Sequence, residues 1–246
     1  MFSLWVFLTA LVAGGVAAVS GFGIGSLLTP LLAVRFGTKL AVAIVSIPHL
    51  VATAARFLGL RRRLDRRIFL HFGILSAAGG LLGALLNARA NSPVLAIVFG
   101  CLLVFAGVSG LSGFVDRMRF GRRMAWFAGA LSGFFGGLVG NQGGIRSAAL
   151  LGFEIQKEAL VGTATAIALI VDGARMPVYL TVETRGILDA WPALAVAIVG
   201  VLLGTLWGVR LLRRIPDQIF RKLLSALILA LGIYMLVHGY RMKSIA

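Results

Sequence analysis

The chain has 246 residues, of which 59% are hydrophobic and 13% charged, and its formal net charge is +16. A soluble domain carries about twice this charged fraction, and apolar runs near the length of a membrane span recur throughout, so we predict an all-α polytopic membrane protein. The composition excludes a soluble domain. We assign the basic residues to loops at lipid headgroups and not to nucleic acid, for which no binding fold is indicated.

The first apolar run is too long for one membrane helix. It extends over 31 residues, 4–34, which as a single helix would measure about 46 Å against a hydrocarbon core of about 30 Å. Gly21, Gly23 and Gly25 lie inside it, followed by Pro30. Because glycine and proline break helices, we predict a break at residues 21–25.

The same order of features restarts in the second half. Residues 140–144 contain Gly140, Gly143 and Gly144, again after an apolar run. The pattern predicts about eight transmembrane helices in two four-helix repeats, residues 1–116 and 124–246, with a glycine-broken first helix in each repeat. The predicted apolar segments are 4–19, 26–34, 40–60, 68–86, 93–114, 124–139, 145–153, 159–180, 187–211 and 223–237.

The two halves align with a shift of 119 residues. This shift places Gly21 on Gly140, Gly25 on Gly144 and Arg56 on Arg175. A slightly larger shift places the Gly79/Gly83 pair on the Gly200/Gly204 pair. Internal duplication around interrupted helices is a frequent plan of secondary transporters.

These motifs resemble the sulfite exporter TauE/SafE (TSUP) family of membrane transporters. The family resembles two copies of a four-helix unit, each with a G-x-G-G-G type motif, often followed by proline. Residues 21–25 with Pro30 match the first motif, residues 140–144 match the second, and the basic loop 61–67 is similar to the family's loop. Ile24 and the polar pair Asn141 and Gln142 depart from the pattern. The resemblance implies transport of small, often sulfur-containing anions across the bacterial inner membrane.

The two breaks are the candidate substrate site. A helix that restarts after a break exposes backbone N–H groups at its positive end, which favours anions. Arg146 follows the second break and has the bidentate geometry that suits sulfur oxyanions and carboxylates. The substrate-binding candidates are Gly21, Gly23, Gly25, Gly140, Asn141, Gln142, Gly143, Gly144 and Arg146. The alternative is that the glycines only permit close helix packing and that Arg146 forms an internal ion pair. We expect the first copy, which is almost entirely apolar, to offer backbone groups and Thr29, and the second copy to carry the selectivity.

Four further residues inside apolar runs are candidates for the pathway or for ion coupling: His49, Arg56, Asp172 and Arg175. Arg56 and Arg175 either extend to the headgroups or line the pathway. Asp172 precedes Arg175 by three residues, so the two are expected to pair on one helical face. The three buried arginines against one carboxylate favour an anionic substrate over a cationic one. His49 is either a packing residue or part of a proton relay.

The sequence therefore predicts a secondary transporter for a small anion, working by alternating access in the bacterial inner membrane. The candidate partners are the anion, the lipid bilayer and H+ or Na+ as coupling ion; nucleic acid is not among them. No catalytic residues, metal ligands or cofactors are predicted. The alternative is a membrane-embedded subunit or an enzyme without transport activity. Of the loop Lys and Arg residues, 12 would lie on the side of both termini and 9 on the other, which favours cytoplasmic termini.

Overall fold

The chain folds into α-helices joined by short connections. The computed structural model describes residues 1–114, 122–140, 143–150, 153, 157–208 and 216–245, and these contain no β-strand. In chain order the helices are α1 (Phe2–Ser20), α2 (Ile24–Leu60), α3 (Arg66–Arg89), α4 (Ser92–Ser112), α5 (Arg122–Val139), α6 (Gly143–Leu150), α7 (Lys157–Val182), α8 (Thr184–Asp189), α9 (Trp191–Leu203) and α10 (Asp217–Ile245). A π-helical turn (Gly204–Gly208) continues α9.

The helix lengths confirm a multi-pass membrane protein. Within the described ranges, six helical segments are long and apolar enough to cross a membrane: those of α1, α2, α3, α4, α7 and α10. Two shorter apolar helical segments are also present, Met124–Val139 and Trp191–Trp207. The helices α2 and α7 are the most buried of the long ones, so they form the centre of the protein.

The first predicted break is present. Helix α1 ends at Ser20, Gly21 and Gly23 have φ angles of 80° and 130°, and α2 begins at Ile24. Only glycine adopts such angles without strain. The boundary predicted between residues 34 and 40 is also present: Gly37 has non-helical angles, φ 75° and ψ 158°, and this kink divides α2 into two helical segments.

The second break follows α5. Gly140 has a φ of 75°, residues 141 and 142 lie outside the described part of the chain, and α6 begins at Gly143. Helix α6 has 8 residues and is therefore about 12 Å long, too short to cross a bilayer. This short helix packs against α5 and α7.

Glycines bring two pairs of helices into backbone contact. On α1, a Cβ at Gly14 would overlap the carbonyl oxygen of Val201 on α9, and on α5, a Cβ at Gly133 would overlap that of Ser76 on α3. The two contacts have the same form in both halves. The glycines, Gly14 and Gly133, are 119 positions apart, which is the shift that aligns the two breaks, and the carbonyl residues, Ser76 and Val201, are 125 positions apart. Helix α1 thus packs on α9 as α5 packs on α3.

The same contacts correct the alignment of the glycine pairs. Gly79 meets the carbonyl of Ala130, and the contact at the equivalent position is that of Gly204 with the carbonyl of Leu11. By these contacts Gly79 pairs with Gly204, one helical turn away from the predicted pairing with Gly200. A glycine pair spaced by four residues can be aligned one helical turn off, since neighbouring turns look alike in sequence.

We expect Gly83→Ala to destabilise the fold, because a Cβ there would overlap the carbonyl oxygen of Phe134 and backbone yields little. Overpacking of this kind costs about 1–3 kcal/mol. The matched control is Gly173→Ala on α7, where a Cβ meets no atom within 4 Å. Thermal unfolding in detergent, followed by tryptophan fluorescence, measures both. Equal midpoints for the two variants would contradict the α3–α5 contact.

Candidate functional site

The two helix breaks lie against each other. A Cβ on Gly25 would overlap the carbonyl oxygen of Gly140, and one on Gly143 would overlap the side chain of Phe22. A Cβ on Gly21 would meet no atom within 4 Å, so the need for glycine there comes from the φ of 80° alone. Packing therefore explains Gly25 and Gly143, and backbone conformation explains Gly21.

Arg175 stabilises the end of α5 at the second break. Its Nη1 donates a hydrogen bond to the carbonyl oxygen of Gly136, which also accepts from the N–H of Gly140 at 3.0 Å. Its Nη2 lies 2.8 Å from Oδ1 of Asp172, so the predicted pair is present. Arg175 is 1% exposed. It points into the protein, and the alternative that it extends to the headgroups is wrong, because a carboxylate and a helix terminus attract the guanidinium inward.

Arg56 makes the same bonds at the first break. Its Nη1 donates to the carbonyl oxygen of Ala17, and its Nη2 donates to Oγ1 of Thr53 at 3.2 Å. Arg56, Ala17 and Thr53 each precede their counterparts at the second break, which are Arg175, Gly136 and Asp172, by 119 positions. The one chemical difference is that the acceptor is the neutral Thr53 in place of Asp172. The charge of Arg56 is therefore not offset within its own half.

Asp172 has a second partner on α2. Its Oδ2 lies 2.7 Å from Nδ1 of His49, and the carboxylate is fully buried. Asp172 thus lies between the guanidinium of Arg175 and the imidazole of His49. Tyr179, four residues after Arg175, donates to the carbonyl of Gly137 and places its ring 5.8 Å from the guanidinium carbon.

A narrow cavity lies between the two breaks, and the central helices α2 and α7 also line it. About 20 Å³ of it is open to the centres of water molecules, enough for one or two waters. Of the predicted residues, those that line the cavity are Gly21, Gly23, Gly25, Gly140, Gly143, Arg146, His49 and Arg56. The remaining lining residues are Phe22, Ser26, Ala164, Thr165 and Ala168.

The other predicted residues lie elsewhere. Asp172 and Arg175 form a layer behind His49 and do not line the cavity. Gly144 is in the first turn of α6, and Asn141 and Gln142 lie outside the described residues. Thr29 is fully buried away from the lining.

The lining is positively charged. Arg56 and Arg146 contribute to it, Arg146 is 4% exposed, and the described lining contains no carboxylate. Ser26 lies in the first turn of α2, and the N-cap residue of this helix, Gly23, supplies no side-chain cap. The first N–H groups of a helix have no partner within the helix, and those of α2 lie at the first break.

Comparison with known protein families decides the family. A family model described as "Sulfite exporter TauE/SafE" matches residues 6–235, nearly the whole chain. The chain belongs to the TauE/SafE family. No curated protein and no solved structure matches it. This membership confirms the resemblance drawn from the glycine motifs, and the family is one of membrane transporters.

Sequence reasoning missed several residues that line the cavity of this TauE/SafE protein, and only some of them carry a sequence signal. Ser26 follows Gly25 directly, so the argument that found the glycines also reaches Ser26. Ala164 and Ala168 are small residues spaced by one turn in α7, a pattern common in any membrane helix. Thr165 donates to the carbonyl of Val161 at 2.8 Å, as threonine does in many apolar helices, so no sequence pattern indicates its place in the lining.

We expect Arg175→Gln to destabilise the protein by about 3 kcal/mol or more, because it leaves the buried Asp172 without its guanidinium. The double variant with Asp172→Asn removes both charges and should recover part of this loss. Thermal unfolding in detergent measures the cycle. Additive losses would show that Asp172 and Arg175 do not stabilise each other.

Proposed function

We propose that this protein is a secondary transporter that moves a small anion across the bacterial inner membrane by alternating access. The anion is sulfur-containing, such as sulfite, thiosulfate or a sulfonate, or it is a carboxylate. The observation that carries the proposal is the cavity between the two helix breaks, whose lining includes Arg56 and Arg146 but, among the described residues, no acidic side chain.

The charges around the cavity favour an anion. Asp172 offsets Arg175 through the ion pair at 2.8 Å, whereas Arg56 and Arg146 line the cavity, where the described residues place no carboxylate. Bringing several guanidiniums together inside a membrane protein is costly, and a bound anion lowers that cost. Guanidinium groups bind sulfur oxyanions and carboxylates with paired hydrogen bonds.

The helix ends add to this field. The N-terminal turns of α2 and α6 start at the two breaks, and helix N-termini direct backbone N–H groups and a partial positive charge toward anions. The proposed binding groups are the backbone at Gly21, Gly23, Gly25, Gly140, Gly143 and Gly144, the side chains of Asn141 and Gln142, and the guanidinium of Arg146. Arg56 joins this set from the first half.

We also propose that the chain is a duplication of residues 1–116 and 124–246 with eight crossings. The shared arginine bonds and the equivalent α1–α9 and α3–α5 contacts support it. The narrow cavity requires opening before an anion can enter, and rocking of one half against the other would open it. The coupling ion is H+ or Na+, and the excess of basic loops favours cytoplasmic termini.

Removing Arg146 tests the site. Proteoliposomes with the purified protein are offered sulfite, thiosulfate, sulfoacetate, taurine, pyruvate and lactate. We expect uptake of at least one anion, and we expect Arg146→Ala to lower that uptake at least tenfold while the protein stays folded. The matched control is Arg89→Ala, an exposed arginine at the end of α3, which should transport normally.

Two results would contradict the proposal. Normal uptake by folded Arg146→Ala would remove the central side chain from the site. Wild-type protein that moves none of these anions, but turns over a substrate in detergent without a second compartment, would favour the membrane-enzyme alternative.

A further inference from the structure

His49 is the one side chain of the described lining that can change its charge near neutral pH. The lining otherwise contains glycines, alanines, Phe22, the hydroxyls of Ser26 and Thr165, and two guanidiniums. Arginine keeps its proton in proteins, whereas histidine gains or loses one between about pH 5 and 8 in an ordinary environment. Among the described lining residues, His49 is therefore the side chain that can receive a proton.

Asp172 fixes the orientation and the tautomer of that imidazole. The distance of 2.7 Å between Nδ1 and Oδ2 is that of a strong hydrogen bond, and a carboxylate that also pairs with Arg175 accepts and does not donate. Nδ1 of His49 therefore carries hydrogen in both charge states. Nε2 is the nitrogen that is left to bind and release a proton.

We propose that His49 carries the proton that is transported together with the anion. The inference rests on the proposed function, because it gives the coupling ion of the same site. In the step, Nε2 forms an N–H bond with a proton from water on one side of the membrane, and this bond breaks to water on the other side after the anion has left. The imidazole returns unchanged, and one anion and one proton have moved together.

The charges around His49 cause binding of the anion and binding of the proton to favour each other. Asp172 and Arg175 on α7 and Arg56 on α2 act on His49 electrostatically, and Arg146 on α6 lines the same cavity. Protonation of His49 adds one positive charge to this group. A bound anion lowers the repulsion on the proton, and a bound proton raises the attraction for the anion. Such coupling is reciprocal, as thermodynamic linkage requires.

The same lining argues against Na+ as the coupling ion. A sodium site needs several oxygen ligands, as hard cations do. The side chains of the described lining offer two hydroxyls and no carboxylate, and the two guanidiniums beside them repel a cation. Thr165 already donates to Val161. Asp172 is a poor proton carrier as well, because it is fully buried and holds partners on both oxygens.

Calorimetry on the full-length protein in detergent tests the inference without a membrane. Thiosulfate and sulfoacetate are the probes, since neither changes protonation between about pH 5.5 and 8. Titration in buffers of different ionisation enthalpy gives the number of protons taken up per anion bound. We expect wild-type protein to take up a fraction of a proton that depends on pH, and affinity to rise as the pH falls.

The variant His49→Gln keeps a hydrogen-bond donor for Asp172 and removes the titration. It should bind the anion about tenfold more weakly at pH 6, with no proton uptake at any pH. The control His71→Gln changes an exposed histidine on α3 and should behave as wild type.

The outcomes separate the two proposals. Wild-type protein that binds an anion with no proton uptake between pH 5.5 and 8 would overturn the role of His49 without any variant. Unchanged proton uptake in His49→Gln would do the same. Failure of wild-type protein to bind or transport any anion of the full panel would instead overturn the proposed function.

Discussion

The whole arrangement depends on how two helices end inside the protein. A helix that stops at membrane depth leaves its last carbonyl oxygens without partners, and lipid supplies no donors. Arg56 and Arg175 donate to the carbonyls of Ala17 and Gly136, four residues before the turn glycines Gly21 and Gly140. Each arginine also places a positive charge at the negative end of a helix dipole. Both carbonyls also accept from the N–H groups of Gly21 and Gly140, so each arginine adds a second donor at the helix end, and the breaks lie where the arginines stabilise these ends.

One difference between the halves turns a structural pair into an asymmetric site. Asp172 neutralises Arg175, whereas Thr53 at the corresponding position leaves the charge of Arg56 in place. Arg56 consequently serves both as a helix cap and as part of the cavity wall. Arg56 lines the cavity from the far end of α2, together with backbone groups of the first copy, whereas Thr29 does not line it. The positive lining draws on both halves, through Arg56 and Arg146.

Much of this could be predicted from the sequence, because membrane thickness limits helix length. The overlong first run required a break, and the glycines located it. The spacing of Asp172 and Arg175 predicted their ion pair, since it rests on helical geometry alone. The contact of His49 with Asp172 joins residues 123 positions apart in the sequence, and a local sequence pattern does not predict contacts between residues so far apart. The one-turn error in aligning Gly79 has a similar origin, because only the packing against α5 fixes the register.

The central claim is that an anion binds between the two breaks. The most direct measurement is a structure of the protein with selenate, an anomalously scattering analogue of the sulfur oxyanions. The account predicts an anomalous peak within about 5 Å of the guanidinium carbons of Arg56 and Arg146, near the first N–H groups of α2. A peak only at the exposed basic loops, with the space between Gly25 and Arg146 empty at saturating selenate, would contradict it.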